Sequence, residues 1–262
     1  MCTLRLLFIL LLGITRMSFA ETAFRSGQTP LPKVLVLIIA NDDKDYYVEE
    51  QKIWRSYMHL DREHVEAYFI KGSPELEQPF LIVGDEIWSK TEETYAPGIL
   101  NKTILSMEAM LPKLDEFDYV LRTNLSSFYY FPRLLEFLKT LPSTQCYSGA
   151  IGHLHGPFGS GAGFILSTDL VKMLINNKEQ LLDNARFPDD VVIGHFFLHR
   201  YIPLISAKRL DFPSYKAFVK HRNRKLSKHY HFRLKHENEN LRSTEEVNLQ
   251  AILRNMFYGV DE

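Results

Sequence analysis

Seven apolar residues in a row, Val34 to Ala40, run straight into Asn41-Asp42-Asp43. An unbroken apolar run ending in turn formers predicts a strand buried on both faces. Tyr46 to His59 predicts a helix, with Ile53, Trp54, Tyr57 and Met58 near one side. Val65, Ala67 and Phe69 alternate with polar neighbours and predict a second strand, and Phe80 to Val83 a short third one. Pro97 suits the first turn of a helix carrying Leu100, Ile104, Met107 and Leu111 at helical spacing. Tyr119 to Leu121 predicts a strand, and Pro132 opens a helix from Arg133 to Thr140. Phe164 to Leu166 reads as a strand and Asp169 to Ile175 as a helix, and Asp189 or Asp190 caps a helix running to Leu198. Ser243 and Glu246 form a capping box ahead of Val247, Ile252, Leu253 and Met256, and Gly259 ends that helix.

Strands alternating with helices imply an α/β fold, a mostly parallel sheet flanked by helices. Ligands of such sheets bind beyond the carboxyl ends of the strands. That rule selects Asn41 and its neighbours, the stretch Arg122 to Phe128, and the loop before Asp190. No internal repeat and no Pro/Gly linker divides the chain, so residues 33–262 read as a single domain.

The N-terminus stands apart. Leu6 to Ile14 is a short apolar run, and Ser18-Phe19-Ala20 offers small residues for a signal peptidase. Residues 1–20 read as a signal peptide or a short uncleaved anchor, and 21–32 as a linker. Either way the body is expected outside the cytosol: in the secretory pathway, or in the periplasm or outside the cell of a bacterium. Of the two cysteines, Cys2 and Cys146, only the second would remain after cleavage, which rules out an internal disulfide. Asn101 and Asn124 head N-x-[ST] sequons. The net charge of −1 argues against nucleic acid as a partner.

Four stretches can carry chemistry. Arg122-Thr123-Asn124-Leu125-Ser126-Ser127-Phe128 follows a predicted strand; it is either a plain turn or a polar grip on a diphosphate or hydrated cation. Gly159-Ser160-Gly161-Ala162-Gly163 is either a tight turn or a place where a ligand approaches the backbone closely. In Pro188-Asp189-Asp190-Val191, one carboxylate caps a helix while the other is free to act as a general base. Residues 216–235 hold eight Lys or Arg and no acid. That segment is a solvated face, a clamp for a diphosphate leaving group, or a peripheral contact with anionic lipid.

In order and spacing these stretches resemble the beta-1,3-glycosyltransferase family, most closely its fringe-like members. The resemblance runs from about Val34 to Gly194. It rests on Ile53-Trp54-Arg55 with Tyr57, on Glu93-Thr94-Tyr95 leading to Lys102-Thr103, and on Phe117 to Phe128 in the place of the family's acidic motif. Ser160 to Ser167 is similar to the fringe-like Gly-Gly-Ala-Gly-Phe-x-Leu-Ser, and Pro188 to Gly194 to the family's Pro-Asp/Glu-Asp-Val-x-x-Gly. The resemblance implies a GT-A fold and an inverting transfer from a nucleotide sugar, expected to be a UDP-sugar, to a hydroxyl of a glycan, glycoprotein or glycolipid. It implies Asp190, beside Asp189, as the base. Arg55, Lys102, Arg122, Asn124 and Ser126 would hold the donor, and Gly161, Ala162 and Gly163 would line the sugar and acceptor pocket.

One departure changes the picture. The family's acidic triplet is here Asn124-Leu125-Ser126, without a carboxylate. Neutral oxygens hold a hard divalent cation weakly. Three readings stay open. Arg122 and residues 216–235 supply the positive charge; or Mn²⁺ or Mg²⁺ binds through the donor phosphates with Ser126 and His231; or the protein binds sugars or nucleotides without turnover.

Overall fold

The computed structural model describes residues 30–183 and 186–260; the expected signal or anchor segment and most of the linker lie outside them. The residues from Leu31 onward form one compact unit. No helix among the described residues is long and apolar enough to cross a membrane.

The chain order is β1 (Val34–Ile39), α1 (Asp45–Tyr57), β2 (Val65–Gly72), β3 (Phe80–Val83), β4 (Glu86–Ser89), α2 (Gly98–Ala109), β5 (Tyr119–Asn124), β6 (Ser127–Tyr129) and α3 (Phe131–Leu138). Then follow β7 (Tyr147–His153), β8 (Pro157–Ser167), α4 (Thr168–Asn176), α5 (Lys178–Leu182), α6 (Asp189–Leu198), β9 (Leu204–Ser206), β10 (Leu210–Asp211), α7 (Tyr215–Lys225), β11 (His231–Arg233) and α8 (Val247–Tyr258). The main sheet runs β3-β4-β2-β1-β5-β8-β7-β9, and a small one β10-β11-β6. Four of the seven neighbouring pairs in the main sheet are parallel. The direction reverses at β5, which pairs with β1 in parallel and with β8 antiparallel.

The run Val34 to Ile39 is apolar throughout because both faces of β1 are covered. Val34, Val36 and Ile38 pack with Ile53, Trp54 and Tyr57 of α1 and Leu249 and Leu253 of α8. Leu35 and Leu37 pack on the other face with Leu100, Ile104 and Met107 of α2 and Ile193 and Phe197 of α6. Burying each such side chain contributes about 1.5–3 kcal/mol. The loops that leave β1 and β5 are thereby held on a rigid base.

Three sequence expectations are corrected. The glycine-rich stretch is not a turn; it lies inside β8, an 11-residue strand. Ser243 and Glu246 form no capping box; residues Arg242–Glu246 make a wide helical turn, and the Glu246 carboxylate binds the Arg242 guanidinium instead. Pro188, not an aspartate, occupies the cap position of α6.

Candidate active site

A cleft of about 600 Å³ opens at the carboxyl ends of β1 and β5. Its floor is set by Ala40 and Asn41 after β1, Arg122 and Asn124 at the end of β5, and Gly161 and Ala162 within β8. Asp189 and Asp190 enter from the first turn of α6. The cleft therefore lies between β1 and β5, where the strand order switches from one side of the sheet to the other and where open α/β sheets bind ligands.

Asp189 and Asp190 are split by the helix. Asp189 is buried, with Oδ1 2.5 Å from Arg122 Nη2 and Oδ2 accepting the Thr103 hydroxyl at 3.0 Å. Burial pushes its carboxyl above the usual carboxylate range, with the Arg122 guanidinium pulling the other way. Almost fully buried and clamped between Arg122 and Thr103, Asp189 holds Arg122 in place and presents little surface to an acceptor hydroxyl. Asp190, half-buried, faces the cleft. Its Oδ2 accepts the Gly161 amide at 2.6 Å and its Oδ1 the Val191 amide at 2.9 Å. A carboxylate oxygen accepts two hydrogen bonds, so each retains a lone pair for a hydroxyl in the cleft.

Two glycines of β8 are explained by close neighbours, Gly161 by Asp190 and Gly163 by Tyr129. A Cβ on Gly161 would lie 2.7 Å from Asp190 Oδ2, and one on Gly163 would lie 1.8 Å from the Tyr129 hydroxyl. Gly161 and Ala162 line the cleft; Gly163 sits behind it against Tyr129 and His231.

The expected donor residues separate in the same way. Lys102 lines the cleft; its ammonium donates to the Ala40 carbonyl at 2.8 Å and to Glu93 Oε2 at 2.6 Å, and burial lowers its pKa. Arg122 donates to the Gly161 carbonyl as well as to Asp189. Asn124 donates to that carbonyl at 3.0 Å, and Ser126 Oγ accepts Arg242 Nη2 at 2.9 Å. Arg55 is not in the cleft. Trp54 must face the core, where its indole donates to the Leu125 carbonyl at 3.2 Å. The next position on the helix therefore turns outward, and Arg55 pairs with Asp85 at 2.8 Å and Glu86 at 2.7 Å.

Sequence reading passed over Arg209, which donates to Ser160 Oγ at 2.8 Å, and Arg242, which spans Ser126 and Glu246. Neither has a local motif; each is brought in by the long return of the chain after β9. Among the described side chains of residues 216–235, Arg233 and Lys235 line the cleft. The side-chain oxygen of Asn41 is buried without a partner on the cleft wall and can accept a ligand N–H.

The residues at the position of the acidic triplet do not fit a divalent cation. The Leu125 carbonyl is taken by Trp54 and by Gln250 at 2.6 Å. Ser126 Oγ already faces a guanidinium. His231 is buried with Nε2 3.1 Å from the Tyr129 hydroxyl and 3.4 Å from Ser127 Oγ, behind the cleft wall. Burial, with Arg209 nearby, holds its pKa well below the usual histidine range. Among the described residues, no group of three His, Cys, Asp or Glu could hold a metal ion.

No family profile matches the chain, and no curated protein sequence does. By structure it is similar to a glycosyltransferase involved in the glycosylation of the major capsid of PBCV-1, with a TM-score of 0.52 and 11% identity over 84% of this chain and 99% of that one. Mouse xyloside xylosyltransferase 1 in its apo form superposes at 0.35 with 9% identity, over 80% of this chain and 98% of that one, too loosely to carry an argument. The first likeness concerns architecture, and it shows a mixed α/β fold of the GT-A glycosyltransferase type.

Proposed function

We propose that this chain is an exported glycosyltransferase, related to the fringe-like enzymes, that moves a hexose from a UDP-sugar to a hydroxyl of a glycan, glycoprotein or glycolipid with inversion. One observation carries the reading: a single cleft is lined by the Asp190 carboxylate and by six cationic side chains. In a single displacement the acceptor oxygen attacks the anomeric carbon and its proton passes to Asp190. The bond from that carbon to the donor phosphate breaks, and the diphosphate leaves with the electron pair. Positive groups placed where that charge develops lower the barrier.

The test is transfer and donor hydrolysis across UDP- and GDP-sugars by the wild type and by Asp190→Asn. The variant is expected to keep UDP binding and lose turnover by about 10²–10⁴-fold, the usual worth of a positioned base. Wild-type turnover in the variant would remove Asp190 from the chemistry.

The two amides on Asp190 favour a second reading. Such a carboxylate clasps β8 to α6 without needing to accept a proton. On that reading the chain binds glycans or nucleotide sugars without turnover. UDP or a glycan would then raise the melting temperature of the wild type while no donor was consumed.

A further inference from the structure

The cleft holds six cationic side chains against three carboxylates, and the excess is not spread evenly. Lys102 pairs with Glu93, Arg122 with Asp189, Arg209 with Asp211 and Arg242 with Glu246. Arg233 and Lys235 line the same cleft and form no ion pair with a described acid.

Their placement follows from strand alternation. Phe232 and Leu234 are fully buried in the core, so Arg233 and Lys235 point the other way. Strand β11 runs antiparallel to β6, with Arg233 opposite Ser127, and the Leu234 amide donates to the Ser126 carbonyl at 2.8 Å. Both cations thus stand beside the turn Asn124-Leu125-Ser126. Arg242 reaches the same turn through Ser126 Oγ. Three positive groups surround the place where the resemblance puts a metal ion. Burial and the Arg209 charge press the Arg233 pKa down, and burial with Arg242 and Arg233 does the same to Lys235. A divalent cation there would add to the repulsion, whereas an anion would relieve it.

We propose that the donor's diphosphate binds directly to Arg233 and Lys235, with no divalent cation between phosphate and protein; Arg242, whose five N–H groups are taken by Glu246, Ser126, Tyr46 and Tyr47, adds only its charge. This rests on the sugar-transfer reading above and specifies how its leaving group is held. The Arg233 guanidinium suits the task, since its planar fork can meet two phosphate oxygens at once, and Lys235 adds a point charge.

The experiment is calorimetric titration of the full chain with UDP, GDP and inorganic pyrophosphate, in EDTA and again with Mn²⁺. Pyrophosphate and at least one nucleotide are expected to bind in EDTA, with affinity changed less than about threefold by Mn²⁺. Arg233→Ala and Lys235→Ala are each expected to weaken binding roughly tenfold, as for loss of a charge-assisted hydrogen bond. Lys220→Ala, an exposed change on α7 outside the cleft, is expected to leave it alone. Arg242 is left intact because its removal would strand buried Glu246. Binding that appears only with Mn²⁺ overturns the proposal and leaves the sugar-transfer reading standing. So does wild-type affinity in both Arg233→Ala and Lys235→Ala. Failure of all three ligands in both buffers overturns the proposal and the reading together.

Discussion

Gly163 lies where the backbone of β8 presses on two side chains. A methyl group there would lie 1.8 Å from the Tyr129 hydroxyl and 2.9 Å from His231 Cε1. Neither neighbour can yield cheaply: Tyr129 is 1% and His231 4% exposed, and their rings stack at 4.3 Å. Overpacking of this kind costs about 1–3 kcal/mol. Gly163→Ala is therefore expected to lower the unfolding midpoint, measured by urea denaturation. Adding Tyr129→Phe removes the closest atom and is expected to recover part of that loss. If the double variant loses as much as the two single changes together, the clash is not the cause.

At the scale of elements, the site is held by a three-way tie. Arg122 on β5 meets Asp189 at the start of α6, and Asp189 meets Thr103 on α2. Removing one partner of a buried ion pair leaves an uncompensated charge and costs about 3–5 kcal/mol. Asp189→Ala is expected to lose stability in that range, while Arg122→Met with Asp189→Leu is expected to lose less than the sum of the single changes. Strict additivity in a double-mutant cycle would show that the pair is not coupled. The elements carrying this tie were legible in the sequence: β1, β5, α2 and α6 are long or strongly patterned, and both core faces are built on them. Strands β6, β9, β10 and β11 were not, because two or three residues show no periodicity. The basic segment 216–235 read as one unit, yet Phe232 and Leu234 divert its end into the core and so aim Arg233 and Lys235 at the cleft. Asp190 was legible from its motif. Arg209 and Arg242 were not, since only the tertiary return of the chain brings them there. Arg55 was misplaced for a related reason: the core's claim on Trp54, its neighbour, settles which way it points.

Over the whole molecule, the net charge is −1, and buried ionisable groups shape the pH dependence of stability. His231 is kept neutral by burial and by Arg209, so its pKa in the fold lies well below the ordinary 6.5. The unfolded chain then binds more protons than the fold below that pH, and stability is lost as pH falls from 6.5 toward the folded pKa. The loss amounts to about 1.4 kcal/mol per pH unit within that window. Glu50 works the other way. It is fully buried, beside the Glu246 charge, and burial raises its pKa well above the ordinary 4.5. Its contribution is complete below 4.5 and is lost as pH rises toward the folded pKa. A glutamine keeps the shape and a donor for Glu246 without the cost of binding a proton near neutrality. Glu50→Gln is therefore expected to stabilise the protein at pH 7.5, with a benefit that shrinks toward pH 5. His231→Gln is expected to lower stability at pH 7.5 but to flatten the decline between pH 6.5 and 5. Urea denaturation of the wild type and both variants across pH 5 to 7.5 resolves the two slopes. A decline in His231→Gln as steep as in the wild type would place the acid sensitivity elsewhere, and a destabilised Glu50→Gln at pH 7.5 would mean that the carboxyl is ionised in the fold.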